Sequence, residues 1–222
     1  MVWTKRLSAP NWWPIERKTS KFMSSPRGSH KDSIALAVVM RDIFKLVSNA
    51  KEAKSVIKSG KIEVDGRLVK DHRFGIGSMD VIKVKDVGKN WRALPVSGLK
   101  FVEISDDEAK FKLCRIKNKT TVAGGKTQVN MHDGKNILYD NDCRTNDTAV
   151  VEFPNKIKEI LKFEEGALVL ITSGKFGGKI AKINKIDKGN KRVWLEEEGK
   201  LFEALINSVF VVGKGKPMIK LG

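Results

Sequence analysis

Gly166-Ala167-Leu168-Val169-Leu170-Ile171-Thr172-Ser173-Gly174-Lys175-Phe176-Gly177-Gly178-Lys179-Ile180 is the run on which the reading of the fold turns. Ala167 to Ile171 reads as an apolar strand, the glycines at 174, 177 and 178 permit a tight loop, and Ile180 opens a second strand. Gly178 allows the backbone to approach a partner closely, while Lys175 and Lys179 flank the loop tip with positive charge. An ordinary glycine hairpin is the competing reading of the same residues.

Upstream, residues 101–165 read as short strands between turns. Thr127, Val129 and Met131 alternate with Gln128 and Asn130, Ala149 to Phe153 is apolar, and Gly124-Gly125, Asp133-Gly134 and Asp140-Asn141-Asp142 are turn signals. This pattern implies a small β-domain. His132-Asp133 has no serine or cysteine nucleophile motif beside it, so no catalytic role is expected there.

Residues 34–85 have a different texture. Leu36, Val39, Met40, Ile43, Phe44 and Val47 recur at three- and four-residue spacing, which predicts an amphipathic helix from Ile34 to Val47 with Arg41 and Lys45 off its buried stripe. A second helix starts at Asn49, with Glu52 as the acidic third position, and stops at Gly60. Ala50, Ala53, Val56 and Ile57 fall on one side of it, and Lys51, Lys54 and Lys58 cluster on the opposite side. Ile62-Glu63-Val64, the turn Asp65-Gly66 and Arg67-Leu68-Val69 then predict a hairpin, and Met79 to Val84 a further strand.

The chain of 222 residues carries 43 Lys and Arg against 26 Asp and Glu, a net charge of +17. Residues 1–34, 35–100 and 166–222 carry +5, +7 and +6, whereas 101–165 carry −1. A regional excess of this kind predicts a polyanionic partner, nucleic acid before an anionic membrane. The N-terminal residues to Ser33 contain Pro10, Pro14 and Pro26 and no sustained period, and they interleave Trp3, Trp12, Trp13 and Phe22 with Lys5, Arg6, Arg17, Lys18, Lys21, Arg27 and Lys31. That composition predicts an arm that is disordered alone and orders by stacking and phosphate pairing on RNA; the alternative is an arm packed on its own domain. No apolar run is long enough for a membrane span and the N-terminus has no apolar signal core, so a soluble, unexported protein is expected. Cys114 and Cys143 fit a reducing cytosol, and neither they nor His30, His72 and His132 show metal-ligand spacing.

Two resemblances sharpen these expectations. Two short helices followed by K-x-x-V-D-G-R-x-V and G-x-x-D-V-I, over roughly 41–85, resemble the RNA-binding domain named after bacterial small-subunit ribosomal protein four. That resemblance implies phosphate contacts for Arg41, Lys45, Lys51, Lys54, Lys58, Arg67 and Lys70. The run 166–180 resembles the KOW motif of ribosomal proteins and transcription-elongation factors, with Ala181 standing where many members have glycine. In order, the arm, the two-helix module, the β-domain and this run resemble the archaeal and eukaryotic small-subunit ribosomal proteins S-four of the e-type, supported by Lys5-Arg6-Leu7, Met79-Asp80-Val81-Ile82, His132-Asp133-Gly134 and Phe210-Val211-Val212-Gly213-Lys214-Gly215-Lys216-Pro217.

The resemblance implies an α+β chain with a basic arm over 1–33, an RNA-binding domain over 34–100, a central β-domain over 101–165 and an SH3-like β-barrel carrying the KOW motif over 166–222. It implies a non-catalytic cytoplasmic constituent of the small ribosomal subunit, bound to small-subunit ribosomal RNA and neighbouring ribosomal proteins. No cofactor, metal, membrane or small-molecule substrate is expected. The chain stops soon after the closing segment, which eukaryotic members extend, so an archaeal source is expected. A pseudouridine synthase is the enzyme alternative, but its G-R-L-D is here Gly66-Arg67-Leu68-Val69, without the aspartate. A KOW-type transcription-elongation factor would leave the arm and the two-helix module without a role.

Overall fold

A computed structural model describes residues 3–28, 33–96, 98–122, 124–139, 142–187 and 189–221. The fold is α+β and divides into two compact units, Met1–Leu94 with Gly98–Ala109, and Pro95–Ser97 with Lys110–Gly222.

In the first unit the helix Ala50–Lys58 forms as its caps predict. The Asn49 side chain accepts the Glu52 N–H at 2.9 Å, and the Glu52 carboxylate accepts the backbone N–H of Ser48 at 2.8 Å. Gly60 leaves the helix at φ +75°. Ala53 and Ile57 are buried, whereas Lys51, Lys54 and Lys58 are exposed. The preceding helix is shorter than its periodicity predicts. Ile34–Ala35 is extended and pairs with Gly75–Ile76; only Leu36–Val38 is α-helical, widening to a π-turn at Val39–Ile43 that the Phe44 N–H closes on the Val39 carbonyl. Lys45 takes φ +53°, which ends the helix, so Val47 reaches the core from a loop. Phe44 stacks on Trp91 at 4.3 Å and meets the edge of Phe101, fixing the helix end to a five-stranded sheet. That sheet runs Arg67–Leu68, Ile62–Val64, Val81–Val84, Lys89–Pro95, Leu99–Ile104 in spatial order. Its first hairpin turns at Asp65 and Gly66 with φ of +51° and +72°, the positive pair a type I′ turn needs.

The N-terminal segment is built into this unit, contrary to the disordered arm expected. Trp3–Lys5 pairs with Phe22–Ser24, Met23 and Trp13 are buried, and the Trp12 carbonyl accepts the Leu99 N–H at 3.2 Å. Arg6, only 2% exposed, lies 3.2 Å from Asp42 and donates to the Glu16 carbonyl and to Ser20 Oγ. The physical reason is that Trp13 and Met23 supply apolar anchors, and that Asp42 and a carbonyl satisfy the buried guanidinium.

The second unit is β-structured. One five-stranded antiparallel sheet runs Asn136–Leu138, Thr127–Met131, Phe111–Thr121, Thr148–Glu152, Lys156–Leu161; a six-stranded one runs Lys200–Leu205, Arg192–Glu197, Ile180–Asp187, Ala167–Ile171, Val209–Lys214, Lys216–Pro217. Between the two, Arg115 donates to the Asn207 carbonyl at 2.8 Å, and the His132 ring meets the edge of Phe210. His132 Nδ1 accepts the Arg115 N–H, and Asp133 forms a buried 2.7 Å ion pair with Lys112. These contacts give the His132-Asp133 pair a structural role. Burial alone would raise the Asp133 pKa, but the charge and hydrogen bond of Lys112 and the Lys135 N–H outweigh it and hold the carboxyl down at about 2.

Two stability outcomes follow from this packing. Trp13→Ala should lower the unfolding free energy by about 3–4 kcal/mol, because a buried indole leaves a cavity; urea unfolding followed by circular dichroism measures it, and an unchanged midpoint would mean that the arm is not part of the core. Asp133 has a folded pKa below its unfolded value, so its contribution is present above about pH 4 and is lost as pH falls towards 2. Asp133→Asn should therefore cost about 3 kcal/mol at pH 7, and the gap to the parent chain should narrow through that acid window. Parallel curves at all pH values would contradict the assignment.

Candidate nucleic-acid interface

The helix Ala50–Lys58 buries one face, so the opposite face must present Lys51, Lys54 and Lys58 to solvent. Among the described residues none of the three makes an ion pair. The fold brings further basic groups beside them. Lys70 lays its stem near Gly60, at the end of the helix. His72 feels the charges of Lys54 and Lys58. Arg27, from the N-terminal segment, pairs with Asp71 at 3.3 Å while its N–H donates to the Arg73 carbonyl at 2.7 Å, and Arg73 Nε donates to the Ser25 carbonyl. Partial burial is the largest influence on His72 and pushes its pKa down; Asp71 pulls it up, and Lys54, Arg73 and Lys58 push it down again. The result is a surface of lysines and arginines where Asp71 is taken up by Arg27 and the ridge lysines stay exposed, and its natural ligand is a run of phosphates.

Sequence reasoning missed His72 and Arg73. The run Lys70-Asp71-His72-Arg73 was the available signal, but nothing local places it against a helix a dozen residues earlier. The other expected contacts divide into groups. Lys5, Lys18, Lys21, Lys45 and Arg67 are exposed, with Lys21 lying over the Phe22 ring. Arg41 is bound to Asp42 at 2.8 Å, and with Lys45 it lines a cleft of about 790 Å³ that reaches the start of the helix at Asn49. Arg17 is half-buried and donates to the Ala9 carbonyl and to Asn11. Trp12 is half-buried, edge-on to Trp13. Arg6 and Trp13 are buried, and burial removes both from the RNA-facing set: an internal guanidinium and a core indole cannot touch a polyanion outside. Lys31 lies outside the described residues.

In the second unit, the loop between Ala167–Ile171 and Ile180–Asp187 is closed by the Gly178 N–H on the Ile171 carbonyl at 2.7 Å. Gly178 has φ +93°, and a Cβ there would run into Val96 Cγ1, so close packing within the unit already requires glycine. Lys179 is paired with Glu197 at 2.6 Å. Lys175 is exposed, above the Phe176 ring that packs on Phe202 at 4.3 Å. Of the two lysines at the tip, Lys175 is therefore the one without a carboxylate partner among the described residues. Among the described residues no group of three or more His, Cys, Asp or Glu side chains could hold a metal ion.

Comparison with known proteins agrees with this architecture. The family model described as Ribosomal family S4e matches residues 87–157. The chain is 42% identical to small ribosomal subunit protein eS4 of Methanosphaera stadtmanae over 98% of its own length and 94% of that protein's. It is 41% identical to the eS4 of Archaeoglobus fulgidus, over 98% and 97%. The crystal structure of the 30S ribosomal protein S4e from Thermoplasma acidophilum superposes with a TM-score of 0.71 at 29% identity, covering 83% of this chain and 96% of that one. With a basic helix face, a β-structured second unit and relatives matched along nearly their whole length, the chain belongs to the S4e family of small-subunit ribosomal proteins.

Proposed function

We propose that the protein is a structural, non-catalytic constituent of the small ribosomal subunit, which binds ribosomal RNA and supports assembly of the subunit. The observation that carries this reading is the clustering of Lys51, Lys54, Lys58, Lys70 and Arg27 on one surface of the first unit, joined by Arg73. Like charges so close repel one another, and a phosphate backbone relieves that repulsion while releasing counterions. Its partners are small-subunit ribosomal RNA and neighbouring ribosomal proteins, its place is the cytoplasmic ribosome, and its source is archaeal, as the relatives' organisms support. The strand, glycine loop and strand at 166–187 act as a KOW motif in an SH3-like barrel, with Lys175 as its contact to RNA. Exposed Lys5, Lys18, Lys21, Lys45 and Arg67 add phosphate contacts around the first unit, and Lys179 becomes available only if RNA displaces Glu197.

The test is salt dependence. The Lys51→Ala, Lys54→Ala, Lys58→Ala triple variant keeps the helix, because alanine favours it and all three side chains are exposed. Its affinity for small-subunit RNA should fall, and the slope of log affinity against log salt should flatten by about 2 to 3, as expected when about three phosphate contacts are lost. An unchanged slope in a folded variant would exclude the ridge as the contact surface.

A further inference from the structure

Beside the lysine ridge stands an aromatic ring that the core does not use. Phe74 is 40% exposed. The other described phenylalanines of the first unit have partners: Phe44 contacts Trp91 and Phe101, and Lys21 lies over Phe22. Among the described residues no ring or cation lies against Phe74. Its backbone, by contrast, is pinned. The Phe74 N–H closes a turn on the Asp71 carbonyl at 3.1 Å, the Phe74 carbonyl accepts the Leu36 N–H at 2.8 Å, and the His72 carbonyl accepts the Ala37 N–H at 3.0 Å. Arg27 runs alongside: its N–H bonds the Arg73 carbonyl at 2.7 Å, and its own carbonyl oxygen lies 3.7 Å from where a Cβ on Gly75 would stand. The charge around the ring is basic. Residues 66–79 hold Arg67, Lys70 and Arg73 against one acid, Asp71, which Arg27 takes up. Lys54 and Lys58 are close enough for their charges to reach His72, two residues before Phe74.

We propose that Phe74 is a stacking platform for an unpaired base of small-subunit ribosomal RNA, whose flanking phosphates are bound by the lysine ridge. The ridge attracts any phosphate backbone and carries no preference for one RNA conformation over another. A phenyl ring supplies that preference. Against a continuous duplex it would meet only sugar and phosphate, whereas a base splayed out of a loop or bulge offers it a π-face. The pinned turn Asp71–Phe74 holds the ring in place before binding, so little conformational freedom is lost when a base stacks on it. Continuity with the ridge selects RNA as the occupant, because a partner that covers Lys54, Lys58 and Lys70 passes beside Phe74 as well. The first unit thus combines phosphate contacts, which give affinity, with one aromatic contact that selects where on the RNA it settles.

This inference rests on the ribosomal reading above, and the experiment tells the two apart. The full-length chain and its Phe74→Leu and Phe74→Trp variants are each titrated with naked small-subunit ribosomal RNA over a range of salt. The parent chain failing to bind that RNA would sink the ribosomal reading itself. With the parent chain active, Phe74→Leu keeps an apolar side chain but loses the π-face, and should bind about tenfold more weakly with an unchanged slope of log affinity against log salt, since no phosphate contact is removed. Phe74→Trp should bind within about twofold of the parent chain or more tightly, because indole stacks as well as phenyl. Parent-like affinity of Phe74→Leu, or an equal loss in Phe74→Trp, overturns the proposal. Phe74→p-benzoylphenylalanine, photolysed in the assembled subunit, gives a readout independent of affinity and of stability. A crosslink that maps by reverse transcription to an unpaired nucleotide supports the proposal; a crosslink to a paired segment or to protein, or none, overturns it.

Discussion

Ala53 and Ile57 lie buried beneath the helix Ala50–Lys58, and that one-sided burial governs what the first unit can present to a partner. With the apolar stripe fixed inward, helical pitch leaves Lys51, Lys54 and Lys58 no place but the outer face. Three like charges at this spacing weaken an isolated helix. They persist because the Asn49 and Glu52 caps and the buried face hold the helix against their repulsion. The loop 70–73 and Arg27 then add cations to a surface that is already electropositive. A polyanion completes what the protein alone leaves unbalanced.

Cations in this chain serve two purposes. Arg6, Arg92 and Lys112 are among the largest fully buried side chains, and each is held by acceptors: Arg6 by Asp42 and the Glu16 carbonyl, Arg92 by the Glu108 carbonyl at 2.7 Å, Lys112 by Asp133. Burial pulls the Arg92 pKa down to about 10, while Glu108 and Asp65 work in the opposite direction. These cations specify the fold, and breaking one leaves a buried charge without its counterpart. The exposed lysines of the ridge contribute little to stability and remain available to bind. Net charge alone does not separate the two purposes; burial does.

Local chemistry was legible in the sequence and distant chemistry was not. The caps of Ala50–Lys58, the Asp65-Gly66 turn and the alternation over Thr127–Met131 each depend on neighbours a few residues away, and each reads directly. The first helix reads too long because its period continues past Phe44, while the backbone leaves the helix at Lys45. The arm reads as disordered because its anchors lie elsewhere: Arg6 depends on Asp42, and Trp12 on Leu99. Gly178 reads as a loop glycine, although Val96, remote in sequence, is what a side chain there would strike. Arg27, His72 and Arg73 join the lysine ridge through contacts between segments with no shared period.

The central claim is that the lysine ridge faces ribosomal RNA, and lysine acylation followed by mass spectrometry tests it most directly. In intact small subunits Lys51, Lys54, Lys58 and Lys70 should be strongly protected relative to the free protein, and ribonuclease digestion of the subunit should restore their reactivity. Equal reactivity in the subunit and in the free chain, or protection that survives complete removal of the RNA, would contradict the account.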